Sequence, residues 1–178
     1  MASLPTASTP IRTIVITGGT HGNETNGIFL AQYFEDLLEM KPFPTDPIWA
    51  NYRSIDSIRV IYSNPKAIQN NTRYVDEDLN RCFLASELDR CTPAKNKLVS
   101  KEDLSYERER AAELNEMLGP KGSETSTDLI IDLHTTTANT GINLIMSPVD
   151  QVCASNQYQK GAFAHSFEGS RDSIIIAC

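Results

Sequence analysis

Two apolar runs constrain this chain most, because each is too short for a helix and each ends beside a histidine. Residues 11–17 (IRTIVIT) are almost all β-branched, broken only by Arg12, and stop at Gly18 and Gly19 before THGNETNG. Residues 129–133 (LIIDL) stop at His134 and run into TTTANTG. Runs of this length and composition, punctuated by glycine and polar residues, read as largely buried strands. Over residues 26–40, Ile28, Phe29, Leu30, Tyr33, Phe34, Leu37 and Leu38 recur at helical spacing, so a helix follows the first strand until Pro42, Pro44 and Pro47 end it in a surface loop. Residues 58–62 (IRVIY) read as a second strand, 142–146 as a fourth and SIIIAC as a short last one. A further helix is expected over 105–118, with Ser105 able to cap it, Arg108 in its charged face, and Gly119-Pro120 stopping it. Strands alternating with helices give an α/β sheet covered on both sides.

Residues 1–10 form a flexible tail by composition, and 11–178 fit one domain with its own core. Apolar residues make up 40 %, charged residues 22 %, and the mean hydropathy is −0.32, values of an ordinary water-soluble globular chain with no run near the length of a membrane span. Sixteen Lys plus Arg against 23 Asp plus Glu leave a net charge of −7, so no basic field exists to gather a nucleic acid. A small anionic substrate needs only a few local arginines. Cys82, Cys91, Cys153 and Cys178 form no CxxC and no regular framework, which favours reduced thiols in the cytoplasm. Residues 84–104 read as charged and solvated.

In open α/β sheets, ligands sit beyond the carboxyl ends of the strands. Both histidine runs end there. His21 and Glu24 are three apart and can aim at one point in a tight or first helical turn, while His134 brings a third donor from a neighbouring strand. Two imidazoles and a carboxylate with an open fourth position make the ligand set of a catalytic zinc. The alternative is a plain α/β domain, since HxxE also arises without a metal. Asp132 shares a strand face with His134 and is either the group that orients it or a simple strand-end acid. His165, in AFAHSFE, lacks this context and reads as a surface or packing residue.

The stretch NPKAIQNNTRYVDEDLNR (64–81) is too polar and turn-rich to read as core, and long irregular segments of this kind often carry function. Within it, Asn80 and Arg81 make a natural clamp for a carboxylate, and Arg73 can face an oxygen that becomes negative during attack on a carbonyl. Asp78 is a brace for an arginine or an imidazole, or a solvated loop acid.

In order along the chain, GGTHGNE, NPKA, TRYVDEDLNR, YERERAAELNEMLGPK and DLHTTTANTG resemble the aspartoacylase branch of the aspartoacylase and succinylglutamate desuccinylase family, relatives of the zinc carboxypeptidases. The resemblance covers roughly residues 12–147. It implies a zinc-carboxypeptidase-like α/β fold, a central mixed sheet flanked by helices, with one Zn²⁺ held by His21, Glu24 and His134. It implies that Arg73 polarises the scissile carbonyl and that Asn80 and Arg81 hold the substrate α-carboxylate. The implied reaction is hydrolysis of a small N-acyl amino acid, typically N-acetyl-L-aspartate. The related aminoacylase, acting on N-acyl aromatic amino acids, is the alternative enzyme.

Three departures qualify the resemblance. Thr135 stands where an asparagine is expected after DLH. Family members carry a downstream glutamate in a GIEVGP-like strand as general base, and then a β-rich C-terminal domain; residues 148–178 match neither, so the domain reads as C-terminally truncated. Glu168 and Arg171 have the wrong flanks and take no role. Without the base, a catalytically weak zinc-binding fragment is the further alternative, about 10²–10⁴-fold slower. Sheet edges that a second domain would cover leave room for a homo-oligomer.

Overall fold

The computed structural model describes residues 11–86, 88, 104–120, 123–135, 143–146 and 173–177, the last two segments by their backbone only. The first buried run forms β1 (Thr13–Gly18), followed by α1 (Thr25–Met40), a 3₁₀ turn (Pro47–Tyr52) and β2 (Ser57–Tyr62). Then come α2 (Pro65–Asn70), a second 3₁₀ turn (Leu79–Arg81), α3 (Tyr106–Leu118), β3 (Leu129–His134), β4 (Asn143–Met146) and β5 (Ser173–Ala177). The five strands make one sheet in the order β2-β1-β3-β5-β4. Only β4 runs antiparallel to its neighbour. The expected mixed sheet flanked by helices is therefore present, and each expected strand agrees within one or two residues.

Alternation along β1 and β3 divides the core in two. Val15, Ile61 and Ile130 pack with Ala111, Leu114 and Leu118 of α3, whereas Ile16, Ile131 and Leu133 pack on the other face with Ala31 and Phe34 of α1. Successive side chains of a strand point to opposite faces, so a β-branched run with no polar alternation needs a helix on each side. Helix α1 lies close to the sheet because Gly27 has no side chain: a Cβ there would stand 2.2 Å from the Leu133 carbonyl oxygen. Helix α3 starts on Ser105, whose hydroxyl accepts from the Arg108 N–H, and stops at Gly119, where φ is +77°.

At the amino end of the sheet, one oxygen of Asp128 accepts from the Arg12 and Thr13 N–H groups and from the Thr13 hydroxyl, at 2.8–3.0 Å. The Thr13 hydroxyl in turn accepts from the Asp128 N–H. These bonds fix β1 against β3 so that Thr17 stands opposite Asp132.

The structure corrects the reading of residues 64–81 as too polar for core. Asn64, Ala67 and Leu79 are fully buried, and the segment holds two short helical turns. The Asn64 side chain caps α2 by accepting from the Ala67 N–H, Asn71 ends it at a left-handed φ of 51°, and Asp78 caps the second 3₁₀ turn. The buried anchors lie too far apart to show a period, and the polar residues satisfy one another inside the fold. Residues 1–10, most of 84–104, and His165, Glu168 and Arg171 lie outside the described residues. No described helix is long and apolar enough to cross a membrane.

Replacing Gly27 by alanine should push α1 off the sheet. A loss of about 2 kcal/mol or more is expected, lowering the melting temperature by roughly 4–8 °C, as read by thermal unfolding.

Candidate metal centre

From β1 the chain crosses to β2 on one side, and from β2 it returns past β1 to β3 on the other. The carboxyl ends of β1 and β3 thus flank the point where the winding reverses, the usual crevice for a ligand. Gly19, at φ +71°, turns the chain out of β1, and a Cβ at that position would lie 2.4 Å from Ile68 Cδ1. His21 and Glu24 follow in this turn, and His134 ends β3.

Glu24 occupies the position that caps α1, yet its side chain makes no capping bond. Its carboxylate is turned into the crevice instead. Oε1 lies 2.7 Å from His21 Nδ1, Oε2 lies 2.9 Å from His134 Nδ1, and the Thr135 N–H donates to Oε2 at 2.8 Å. One ligand atom from each of His21, Glu24 and His134 lies within 4.8 Å of the other two. The structure brings together the three side chains that the sequence nominated.

Each imidazole is held from behind by a second carboxylate. His21 Nε2 lies 3.1 Å from Asp78 Oδ1, and His134 Nε2 lies 2.7 Å from Asp132 Oδ2. Asp132 is itself buried and accepts from the Thr17 and Thr20 hydroxyls at 2.7 and 2.9 Å. When each Nε2–H donates outward to its aspartate, each Nδ1 lone pair faces the same small space beside Glu24, the arrangement found behind metal-bound histidines.

Charge follows the geometry. Burial pushes the Glu24 carboxyl up, but the bonds from His134, His21 and the Thr135 N–H outweigh it and hold the group far below the usual carboxylate range. Asp132 is likewise held low, its burial outweighed by His134 and the two threonine hydroxyls. Burial would lower His134, yet Asp132 and Glu24 lift it to about 10. Three carboxylates (Glu24, Asp78 and Asp132) thus surround the two imidazoles, an excess of negative charge that suits a divalent cation in place of the His134 proton.

The arginine loop lies beside this cluster. Arg73 places one guanidinium nitrogen 3.5 Å from Glu24 Oε1 and another 3.3 Å from Asp78 Oδ2, with 49 % of its side chain exposed. Asp78 therefore braces both an arginine and an imidazole, the two roles left open by the sequence. Its burial is outweighed by His21, the Asn80 N–H and Arg73, so it stays ionised below the usual range. Asn80 Nδ2 stands 3.5 Å from His21 Nε2. Arg81 is exposed in the same 3₁₀ turn, and its guanidinium has no partner among the described residues. Thr135 contributes its backbone to Glu24, while its hydroxyl is buried with no partner among the described residues.

Sequence reasoning missed Glu107. It is fully buried on α3 and accepts from the N–H groups of Val75, Asp76 and Glu77 and from Asn64 Nδ2. A signal existed, because Glu107 falls on the same helical stripe as the buried Ala111, Leu114 and Leu118. Thr17 and Thr20 gave no such signal, since their partner depends on strand register.

A mixed α/β sheet with a His-Glu-His donor set at its switch point has the geometry of a candidate cation site. Residues 10–164 match the succinylglutamate desuccinylase/aspartoacylase catalytic domain family, and the chain belongs to that family. It is 40 % identical over 155 residues to an N-acyl-aromatic-L-amino acid amidohydrolase (carboxylate-forming) of Homo sapiens, covering 86 % of this chain and 43 % of the relative. It is also 40 % identical over 148 residues to the aspartoacylase of Rattus norvegicus, covering 79 % of this chain and 39 % of that protein. The chain thus spans about two fifths of the length of these relatives. Among solved structures, murine aminoacylase 3 superposes with a TM-score of 0.68 at 30 % identity, covering 96 % of this chain and 56 % of that one. A putative metallopeptidase from Shewanella baltica shares the fold, with a TM-score of 0.55 at 15 % identity over 97 % of this chain and 70 % of that one.

These charges set how the metal-free protein responds to pH and how it takes up a metal. The raised pKa of His134 contributes stability that is full below about pH 6.5 and lost as pH rises through about 10, whereas metal binding, which must expel that proton, tightens over the same window by up to about tenfold per pH unit. Calorimetry in two buffers of different ionisation enthalpy should count about one proton released per metal near neutral pH. Asp132→Asn should weaken metal binding by about 10–100-fold, measured by chelator competition.

Proposed function

We propose that this chain carries the metal centre of a zinc-dependent amidohydrolase that cleaves an N-acyl amino acid to a carboxylate and the free amino acid, with N-acetyl-L-aspartate as substrate. The observation that carries this reading is the joint placement of His21, Glu24 and His134 with Arg73 directly against Glu24. Two imidazoles and one carboxylate are the donor set of catalytic zinc sites, and zinc held there would supply Lewis acidity and a water acidic enough to attack near neutral pH. The described residues supply orientation and charge. Asp78 and Asp132 keep both imidazoles in the tautomer that presents Nδ1. Arg73, half exposed, donates N–H groups to the acyl carbonyl oxygen as it gains negative charge. Arg81 forks the α-carboxylate of the substrate, and the Asn80 amide donates beside it.

A second reading keeps the metal and the clamp but changes the side chain to an aromatic one. It is supported by the human amidohydrolase, as identical to this chain as the rat aspartoacylase is, and by the superposition on murine aminoacylase 3.

Metal analysis of the purified protein should find about one zinc per chain, lost in His21→Ala and His134→Ala. Acetate release should be faster from N-acetyl-L-aspartate than from N-acetyl-L-phenylalanine; the reverse order would select the second reading. Arg81→Ala should raise KM by about tenfold or more, while Arg73→Ala should act mainly on kcat, by about 10²–10³-fold. Zinc bound at unit stoichiometry, with neither substrate cleaved faster than by free zinc, would sink the amidohydrolase reading.

A further inference from the structure

The loop that carries Arg73 is exposed along its whole first half, from Asn71 to Asp76. Exposed loops of this kind normally exchange their amides freely. This one does not hang free: three successive main-chain N–H groups point inward onto a single carboxylate. Glu107 Oε1 accepts from Val75 N–H at 2.7 Å and from Asn64 Nδ2 at 3.1 Å, and Oε2 accepts from Asp76 N–H at 3.0 Å and Glu77 N–H at 3.2 Å. Glu107 is 0 % exposed, and its four donors outweigh the burial that would otherwise lift its pKa.

The surrounding bonds repeat the attachment. Asp76 Oδ2 accepts from the Tyr106 N–H at 2.8 Å, Arg108 Nε donates to Glu77 Oε1 at 2.6 Å, and Arg108 Nη2 lies 3.3 Å from Glu77 Oε2. These bonds involve none of His21, Glu24 and His134. They tie the loop to the first turn of α3, and α3 is anchored in the core through Ala111, Leu114 and Leu118. A buried anion held by four donors costs much less than one left bare, and each main-chain donor it takes removes freedom from the loop.

We propose that Glu107 is the positioning residue of the substrate-binding loop: its carboxylate fixes residues 75–77 so that Arg73, on one side of them, and Asp78, Asn80 and Arg81, on the other, are presented together at the metal centre. The loop's part in substrate binding rests on the reading given under the proposed function. Glu107 acts through the backbone and touches no substrate.

The test is Glu107→Gln in the full chain, followed by amide hydrogen exchange, zinc content and hydrolysis of both N-acetyl amino acids. In the wild type, the Val75, Asp76 and Glu77 amides should be protected despite the exposure of the loop; free exchange there would overturn the proposal without any variant. Glutamine keeps the shape but has one oxygen, so one pair of donors faces an NH2 group. Exchange at Val75, or at Asp76 and Glu77, should quicken by about tenfold or more while β1 and β3 stay protected, zinc stays at one per chain, and KM rises about tenfold or more. Adding Asn64→Asp should turn the introduced side-chain amide towards residue 64, so that Asp76 and Glu77 are protected and Val75 exchanges fast. Unchanged loop exchange in the single variant, or a loss of protection spread evenly over the sheet, would overturn the positioning role. A wild type that cleaves neither substrate would count against the proposed function, and the exchange pattern would still decide the role of Glu107.

Discussion

The Glu24 carboxylate ties together three pieces of chain that strand pairing and helix packing bring to one end of the sheet. One oxygen faces His21 in the turn after β1, the other faces His134 and the Thr135 N–H at the end of β3, and the residue itself begins α1. A serine, threonine or aspartate at this place would close the helix end and contribute about 1 kcal/mol. Glu24 forgoes that bond and directs its charge into the crevice. The remaining orientation comes from behind, where Asp78 and Asp132 hold the outer nitrogens of the two rings.

This arrangement makes the site a property of the sheet. His134 is the last residue of β3, and Asp132 stands beside Thr17 through strand pairing. Helices on both faces keep the strands dry, so the carboxylates at their ends work in a medium that strengthens every interaction among them. The arginine loop is different in kind. It has no strand of its own and takes its shape from caps, from two short helical turns and from the first turn of α3.

Legibility in the sequence divides along the same line. The β-branched runs announced β1 and β3 because a two-faced burial pattern leaves few other structures, and HxxE after one strand with DLH at the end of another pointed to the donor set. The order of the strands did not emerge, since pairing depends on crossovers that local pattern does not encode. Asp78 was visible as a loop acid, but its grip on both Arg73 and His21 arises only when residues 57 apart in sequence meet. Asn64 and Leu79 were hidden by polar neighbours. Glu107 was legible in principle, as a charge on an apolar stripe, although the surrounding YERER made it look like one more solvated acid.

Asp128 stands at the opposite end of the sheet from the crevice, a strand's length from Glu24 and the two imidazoles. By gripping Arg12 and Thr13 it decides which rung of β1 meets which rung of β3. A slip of one residue would turn Asp132 and His134 to the α1 side and leave Thr17 facing a leucine or isoleucine. The six residues of β3 span about 20 Å, so the amino end of this sheet works as the zero mark of a ruler whose far graduation is the gap between two imidazoles. Variation at that distant carboxylate would therefore be felt as misaligned chemistry before it was felt as a missing contact.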